Sequence, residues 1–205
     1  MTMRSVMKIK KLYYLMIIFI LSGTIAFAQG IKFGIGGGLS TISSSNNGLN
    51  YNAGYHISAK AKLEIPLFPI TPVVSIQYYI LNGSYSYSNP ILPNGSISGS
   101  TTQKIFSAMI GAEYHLIPGP ISPYVVVDLG FNNIGEVKFD PAILNQFASP
   151  AISRTGLDIG GGVELAIPFL ITFDVSAKYN MLNLWGKQGG EGSISAFNLN
   201  LSVLF

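Results

Sequence analysis

A period-two alternation of apolar and polar side chains recurs eight times between residue 31 and residue 205, and no other feature constrains the fold as tightly. Successive side chains of a strand point to opposite faces, so this pattern describes a sheet with one apolar and one polar face. The strands it predicts are 31–41, 53–65, 72–83, 103–116, 123–134, 155–167, 170–183 and 193–205. In the last, Phe197, Leu199, Leu201, Val203 and Phe205 share one face, opposed by Asn198, Asn200 and Ser202. In the second, Tyr55, Ile57, Ala59, Ala61, Leu63 and Ile65 alternate with His56, Ser58, Lys60, Lys62 and Glu64. No helical period stands out after residue 29.

Charge placement sharpens this reading. Ten charges fall inside the predicted strands: Lys32, Lys60, Lys62, Glu64, Glu113, Asp128, Asp158, Glu164, Asp174 and Lys178. All ten lie on the polar face. Lys104, Glu136, Lys138, Asp140, Arg154, Lys187 and Glu191 sit in loops or at strand tips. An apolar face without a single charge is too clean for a surface in water.

Eight strands can close in two senses, with apolar residues inside, as in a soluble lipocalin-like barrel, or outside, as in a membrane barrel. The charged fraction is 10%, against about 25% in an ordinary soluble domain. Lipid cannot satisfy a free backbone N–H or C=O, so a spanning sheet must close on itself. The expected fold is therefore all-β: an eight-stranded antiparallel up-and-down transmembrane β-barrel. Outward aromatics support it. Tyr55, Phe106, Phe131, Tyr179 and Phe197 lie toward one end, and Phe33, Tyr114, Phe173 and Phe205 toward the other, as two interfacial girdles would.

The connections alternate in length. Short ones at 66–71, 117–122 and 168–169 carry Pro66, Pro69, Pro118, Pro120 and Pro168, and long ones reach 84–102 and 135–154. Short periplasmic turns and long outer loops are the barrel pattern, and an even strand count then places both termini in the periplasm.

Residues 1–28 read as a secretory signal peptide. Arg4, Lys8, Lys10 and Lys11 precede an apolar run at 12–21, and Ala26-Phe27-Ala28 precedes Gln29 in an A-x-A pattern. An uncleaved anchor helix is the competing reading, at the short limit for a span. Removal would leave a single domain, 29–205. It would hold eight Lys and Arg against nine Asp and Glu, a formal charge of −1. The basic charge thus belongs to the export segment and gives no reason to expect nucleic-acid binding.

Candidate chemistry is sparse. There is no cysteine, so neither a disulfide framework nor a thiolate metal site is expected. Gly34-Ile35-Gly36-Gly37-Gly38 lacks the Lys-Ser/Thr of a phosphate loop, and no helix follows it. Its inward glycines, with Gly160 and Gly162, leave room for large side chains inside the barrel. His56 and His115, the only histidines, face inward at opposite ends and cannot share a metal. His56 could be served as a base only by Ser58 or Asp158, and no spacing brings them together, so no catalytic residue, cofactor or metal is expected. Eight strands enclose a lumen just wide enough to be filled by side chains. Lys60, Lys62 and Lys178 are expected to bridge Glu113, Asp128, Glu164 and Asp174 there and to block water flow.

The export signal, the alternating strands and the closing Asn198-Leu199-Asn200-Leu201-Ser202-Val203-Leu204-Phe205 resemble the small outer-membrane β-barrel superfamily of the OmpA/OmpX, porin-like type. The resemblance spans nearly all of 29–205. It implies a monomer in outer-membrane lipid, with Leu201, Val203 and Phe205 carrying the C-terminal signal read by the barrel assembly machinery. It implies a structural or surface-interaction role. A narrow porin-like passage is the first alternative and a soluble periplasmic ligand-binding barrel the second.

Overall fold

The computed structural model describes residues 30–44, 50–51, 53–65, 68–88, 96–140, 150–167 and 171–205. The expected export segment 1–28 lies outside them, as do residues 29, 45–49, 52, 66–67, 89–95, 141–149 and 168–170, with Pro66 and Pro168 of the expected turns. Eight long strands form the wall: β1 (Ile31–Ser44), β2 (Gly54–Leu63), β3 (Ile70–Ser88), β4 (Ser96–His115), β5 (Ile121–Ile134), β6 (Ile152–Ile167), β7 (Ile171–Trp185) and β8 (Ile194–Leu204). Each pairs antiparallel with the next. The last pairs with the first from Gly34↔Leu204 to Ser44↔Ile194, which closes the cylinder. Among the described residues no helix is long and apolar enough to cross a membrane. The crossing elements are strands.

The sense of closure is decided by exposure. Ile57 and Leu199 on the outer face are 64% and 50% exposed, whereas Lys62 and Asp174 are 1% and 0% exposed in the lumen. Ile35, Val74, Ile110, Val127, Val175 and Leu201 extend the outer apolar band around the wall. Phe197 and Phe205 bound that band on β8. Eight residues separate them, about 27 Å along a strand, or about 20 Å of height once the strand is tilted as membrane-barrel strands are. Phe173 is half-buried rather than fully exposed. Phe68 and Trp185 are exposed aromatics that the alternation did not place.

Two features differ from the sequence expectation. The segment 84–102 is mostly sheet, because β3 and β4 stay in register from Ile70↔Tyr114 out to Ser88↔Ser96. Asn50–Tyr51 pairs along β3 and Lys138–Asp140 along β4 at this level. Its Tyr and Thr residues favour strands, but without an apolar face the segment reads as a loop.

The second difference is an inversion of polarity. Toward the long-loop end the outer face turns polar at Thr41, Asn82, Lys104, Asn133 and Ser153. At the same level the interior turns apolar, with Ile42, Tyr79, Leu81, Ile105, Ile134, Leu182 and Ala196 packed into one buried cluster. The strands have left lipid for water there, so the favourable arrangement reverses. The polar face therefore does not line the whole lumen, as the alternation alone suggested.

Candidate functional site: the filled lumen

The lumen is built in layers. In the lower layer, toward the short turns, β2 supplies Lys60 and Lys62, β4 Glu113, β5 Tyr124, β6 Glu164 and β7 Asp174. Lys62 Nζ donates to Glu113 Oε2 at 2.7 Å and also to Glu164. Lys60 Nζ donates to Glu113 Oε1 at 3.3 Å and also to Asp174. Tyr124 donates its hydroxyl to Asp174 Oδ1 at 2.7 Å, and its ring centroid lies 5.8 and 5.9 Å from the two ammonium groups. Small residues make the room. A Cβ on Gly162 would lie 2.6 Å from the Tyr124 hydroxyl, and one on Gly34 would lie 3.2 Å from Lys60 Cγ.

Above this layer Lys178 Nζ donates to Asp128 Oδ2 at 2.7 Å. Its stem passes over Gly160, where a Cβ would lie 2.9 Å from Lys178 Cγ. Asp158 faces Asp128 directly across β5 and β6 and accepts from Asn180 Nδ2 at 2.8 Å. The three lysines and four carboxylates expected to meet are thus brought together, each lysine on at least one of those carboxylates. Each pair is a tie across the lumen between strands remote in sequence. Lys32 pairs with Glu64 at 2.8 Å at the half-exposed lower rim.

The polar floor under the apolar cluster is a second network. Asn180 and Asn198 both donate to the Tyr79 hydroxyl, at 3.0 and 2.9 Å, and Tyr79 donates to Gln77. His56 is 2% exposed, and its ring nitrogens meet Ser40 Oγ at 2.8 Å and Asn200 Oδ1 at 3.0 Å. Ser58 donates to the same Asn200 oxygen at 2.9 Å rather than to His56. Asp158 is committed to Asn180, so no nucleophile–base–orienter chain forms around His56. His115 lies at the other end, 2.9 Å from Ser122 Oγ.

Spaces remain among the described residues. A cavity of about 20 Å³, lined by Lys60, Ser75, Lys178 and Asn198 among others, sits in mid-lumen and has room for a single water. A vestibule of about 740 Å³ opens at the short-turn end, and a crevice of about 360 Å³ at the long-loop end. The charged layers and the apolar cluster stand between the two larger ones. Beside the crevice Arg154 Nη2 meets Glu191 Oε2 at 2.6 Å, and Asn183 Nδ2 donates to Glu191 Oε1 at 2.9 Å. The hydrogen bonds from Arg154 hold the Glu191 carboxyl down at about 2.

Sequence reasoning missed the apolar cluster. A signal existed, because the inversion leaves doublets that break the alternation, the one on β7 beside a register irregularity against β6. They are Ser40-Thr41, Ile80-Leu81, Ile105-Phe106, Asn132-Asn133, Met181-Leu182 and Ala196-Phe197. The Arg154–Glu191 clamp carried no such mark, since its partners are 37 residues apart in loop-like sequence.

A closed antiparallel cylinder with an apolar outer band and a filled, charged lumen defines a small membrane-spanning β-barrel. The profile of the family described as "Outer membrane protein beta-barrel domain" matches residues 15–205, and the chain belongs to that family, which places it in the bacterial outer membrane. Among solved structures it is similar to Neisserial surface protein A (NspA), with 20% identity and a TM-score of 0.59, over 85% of this chain and 96% of that one. It is also similar to the outer membrane protein OprG from Pseudomonas aeruginosa, with 11% identity and a TM-score of 0.53, over 86% and 97%. At these identities the likeness is one of fold. No curated protein matches the sequence.

Proposed function

We propose that this protein acts as a sealed, non-catalytic barrel whose outer loops are its working surface, with a structural or surface-interaction role. The carrying observation is the double closure of the lumen, by bridged lysines and carboxylates below and by the cluster around Leu81, Ile105, Ile134 and Leu182 above. Ions crossing the lower layer would have to break paired buried charges, and water finds no partner in the upper one. This favours the sealed reading over a porin-like passage. The outward apolar band argues against a soluble periplasmic barrel.

Among the described residues His56, Ser58 and Asp158 spend their hydrogen bonds on separate partners, which supports the non-catalytic reading. The long strands β3 and β4 and the longer connections lie at the inverted, water-facing end, which supports an extracellular position for them and a periplasmic one for both termini. The described exterior shows no basic stripe suited to nucleic acid, so the reading is a monomer whose partners are outer-membrane lipid and, through Leu201, Val203 and Phe205, the barrel assembly machinery. NspA is by its description a surface protein, in keeping with this role.

Planar-bilayer recording of the folded, untagged barrel tests the sealed lumen. The expected trace has no stable ohmic step. A reproducible open conductance, with matching solute uptake in liposome swelling, would overturn the proposal in favour of a passage.

A further inference from the structure

The lumen carries more negative than positive charge. In the lower layer Lys60 and Lys62 face Glu113, Glu164 and Asp174, an excess of one carboxylate once the rim pair Lys32–Glu64 is set aside. A second positive partner is therefore favoured somewhere in the barrel, and one place is chemically equipped for it. Glu113, His115 and Glu164 each offer a ligand atom within 4.8 Å of the other two, with His115 Nε2 3.9 Å from Glu113 Oε2.

Access is provided independently. His115 and Glu164 both line the vestibule of about 740 Å³ that opens at the short-turn end. The other histidine nitrogen, Nδ1, is 2.9 Å from Ser122 Oγ, which itself donates to the carbonyl of Ile117 at 2.9 Å. That is the outer-sphere support that orients a ligating imidazole and leaves Nε2 to face a metal.

We propose that Glu113, His115 and Glu164 form a binding site for one divalent transition-metal ion of the zinc class at the floor of the vestibule. One imidazole and two carboxylates suit such an ion better than calcium or magnesium, which favour all-oxygen sites. The vestibule beside His115 and Glu164 leaves room for a water to complete the coordination. Lys62 is the intrinsic competitor, because its ammonium bridges Glu113 and Glu164. The ion takes over that bridge and Lys62 shifts toward the remaining carboxylate oxygens.

The test is calorimetric titration of zinc chloride into the chelator-stripped, untagged full-length barrel folded in detergent micelles at neutral pH. One saturating equivalent is expected, with no comparable heat from magnesium. His115→Ala removes the binding while keeping the heat-dependent gel shift of a folded barrel, and His56→Ala leaves it intact. Lys62→Met, if it folds, binds more tightly. As a readout independent of any variant, cobalt added to the wild-type barrel shifts the ring protons of His115 and not those of His56. Absence of a saturable zinc signal, equal binding by His115→Ala, or a cobalt shift at His56 instead would each overturn the site.

Discussion

Phe33 and Phe205 exchange two main-chain hydrogen bonds, at 2.9 and 2.8 Å, and so fasten the last residue of the chain to the first strand. The barrel is thereby closed along its whole seam, and both rings face outward at the lower girdle, 40% and 41% exposed. Phe205→Ala keeps those backbone bonds but removes the terminal ring. It is expected to fold normally from urea into micelles while accumulating poorly in the outer membrane of cells. Heat-modifiable gel migration of the refolded protein beside the membrane fraction separates the two effects, and equal loss in both assays would make Phe205 a packing residue rather than part of an assembly signal.

Lys62 is the most enclosed cation of the lumen and touches two carboxylates. Lys62→Ala strands Glu164, leaves Glu113 to Lys60 alone and should destabilise the barrel by about 3–5 kcal/mol. The double variant Lys62→Met with Glu113→Gln should recover part of that loss. Denaturant unfolding in lipid vesicles, followed by tryptophan emission from Trp185, measures both. A single variant within about 0.5 kcal/mol of wild type would show that the bridge carries little of the stability.

The inversion of polarity marks the water boundary, and arginine substitutions can locate it. Leu201→Arg, midway between Phe197 and Phe205 in the apolar band, should cost about 2–4 kcal/mol, whereas Thr41→Arg, just above Leu39 on the polar collar, should cost about 0–1 kcal/mol. Equal penalties would place the boundary elsewhere.

The apolar cluster above the charges behaves as an ordinary core. Leu182→Ala should cost about 2–5 kcal/mol, as truncations of buried leucine do. Leu201→Ala on the lipid face should cost less, because lipid fills the space that the side chain leaves. Unfolding midpoints of the two variants decide the order.

The Arg154–Glu191 clamp should be lost in acid. A carboxyl held down at about 2 in the folded protein and ionising near 4.5 when free contributes stability that is complete above about 4.5 and disappears as pH falls toward 2. Arg154→Ala should return Glu191 toward the usual carboxylate range. Carbon-13 titration of the Glu191 carboxyl follows both, and an unchanged midpoint in the variant would remove Arg154 as the cause.

Much of the wall could be read from local pattern. The predicted strand 123–134 lies inside Ile121–Ile134, and 193–205 brackets Ile194–Leu204, because lipid on one side and charge on the other impose strict alternation. The protruding part of β3 and β4 could not be read so, since water on the outside relaxes the demand for apolar residues there. The lysine–carboxylate layer was legible as a set, because charges in a spanning strand have only the lumen to enter. Which lysine meets which carboxylate was not, because Lys62 and Glu164 are 102 residues apart and meet only through the stagger of the closed sheet.

Eight strands with one face fit for lipid follow from period and charge, which are properties of the residues alone. Where that face ends is set by the folded cylinder. The exchange of apolar and polar sides near Thr41 and Ile42 depends on how far each strand rises past its neighbours, and register is set by closure of the whole cylinder. The gathering of Glu113, His115 and Glu164 at one floor has the same origin. Adjacent positions on a barrel wall come from strand pairing and shear, which no single segment encodes.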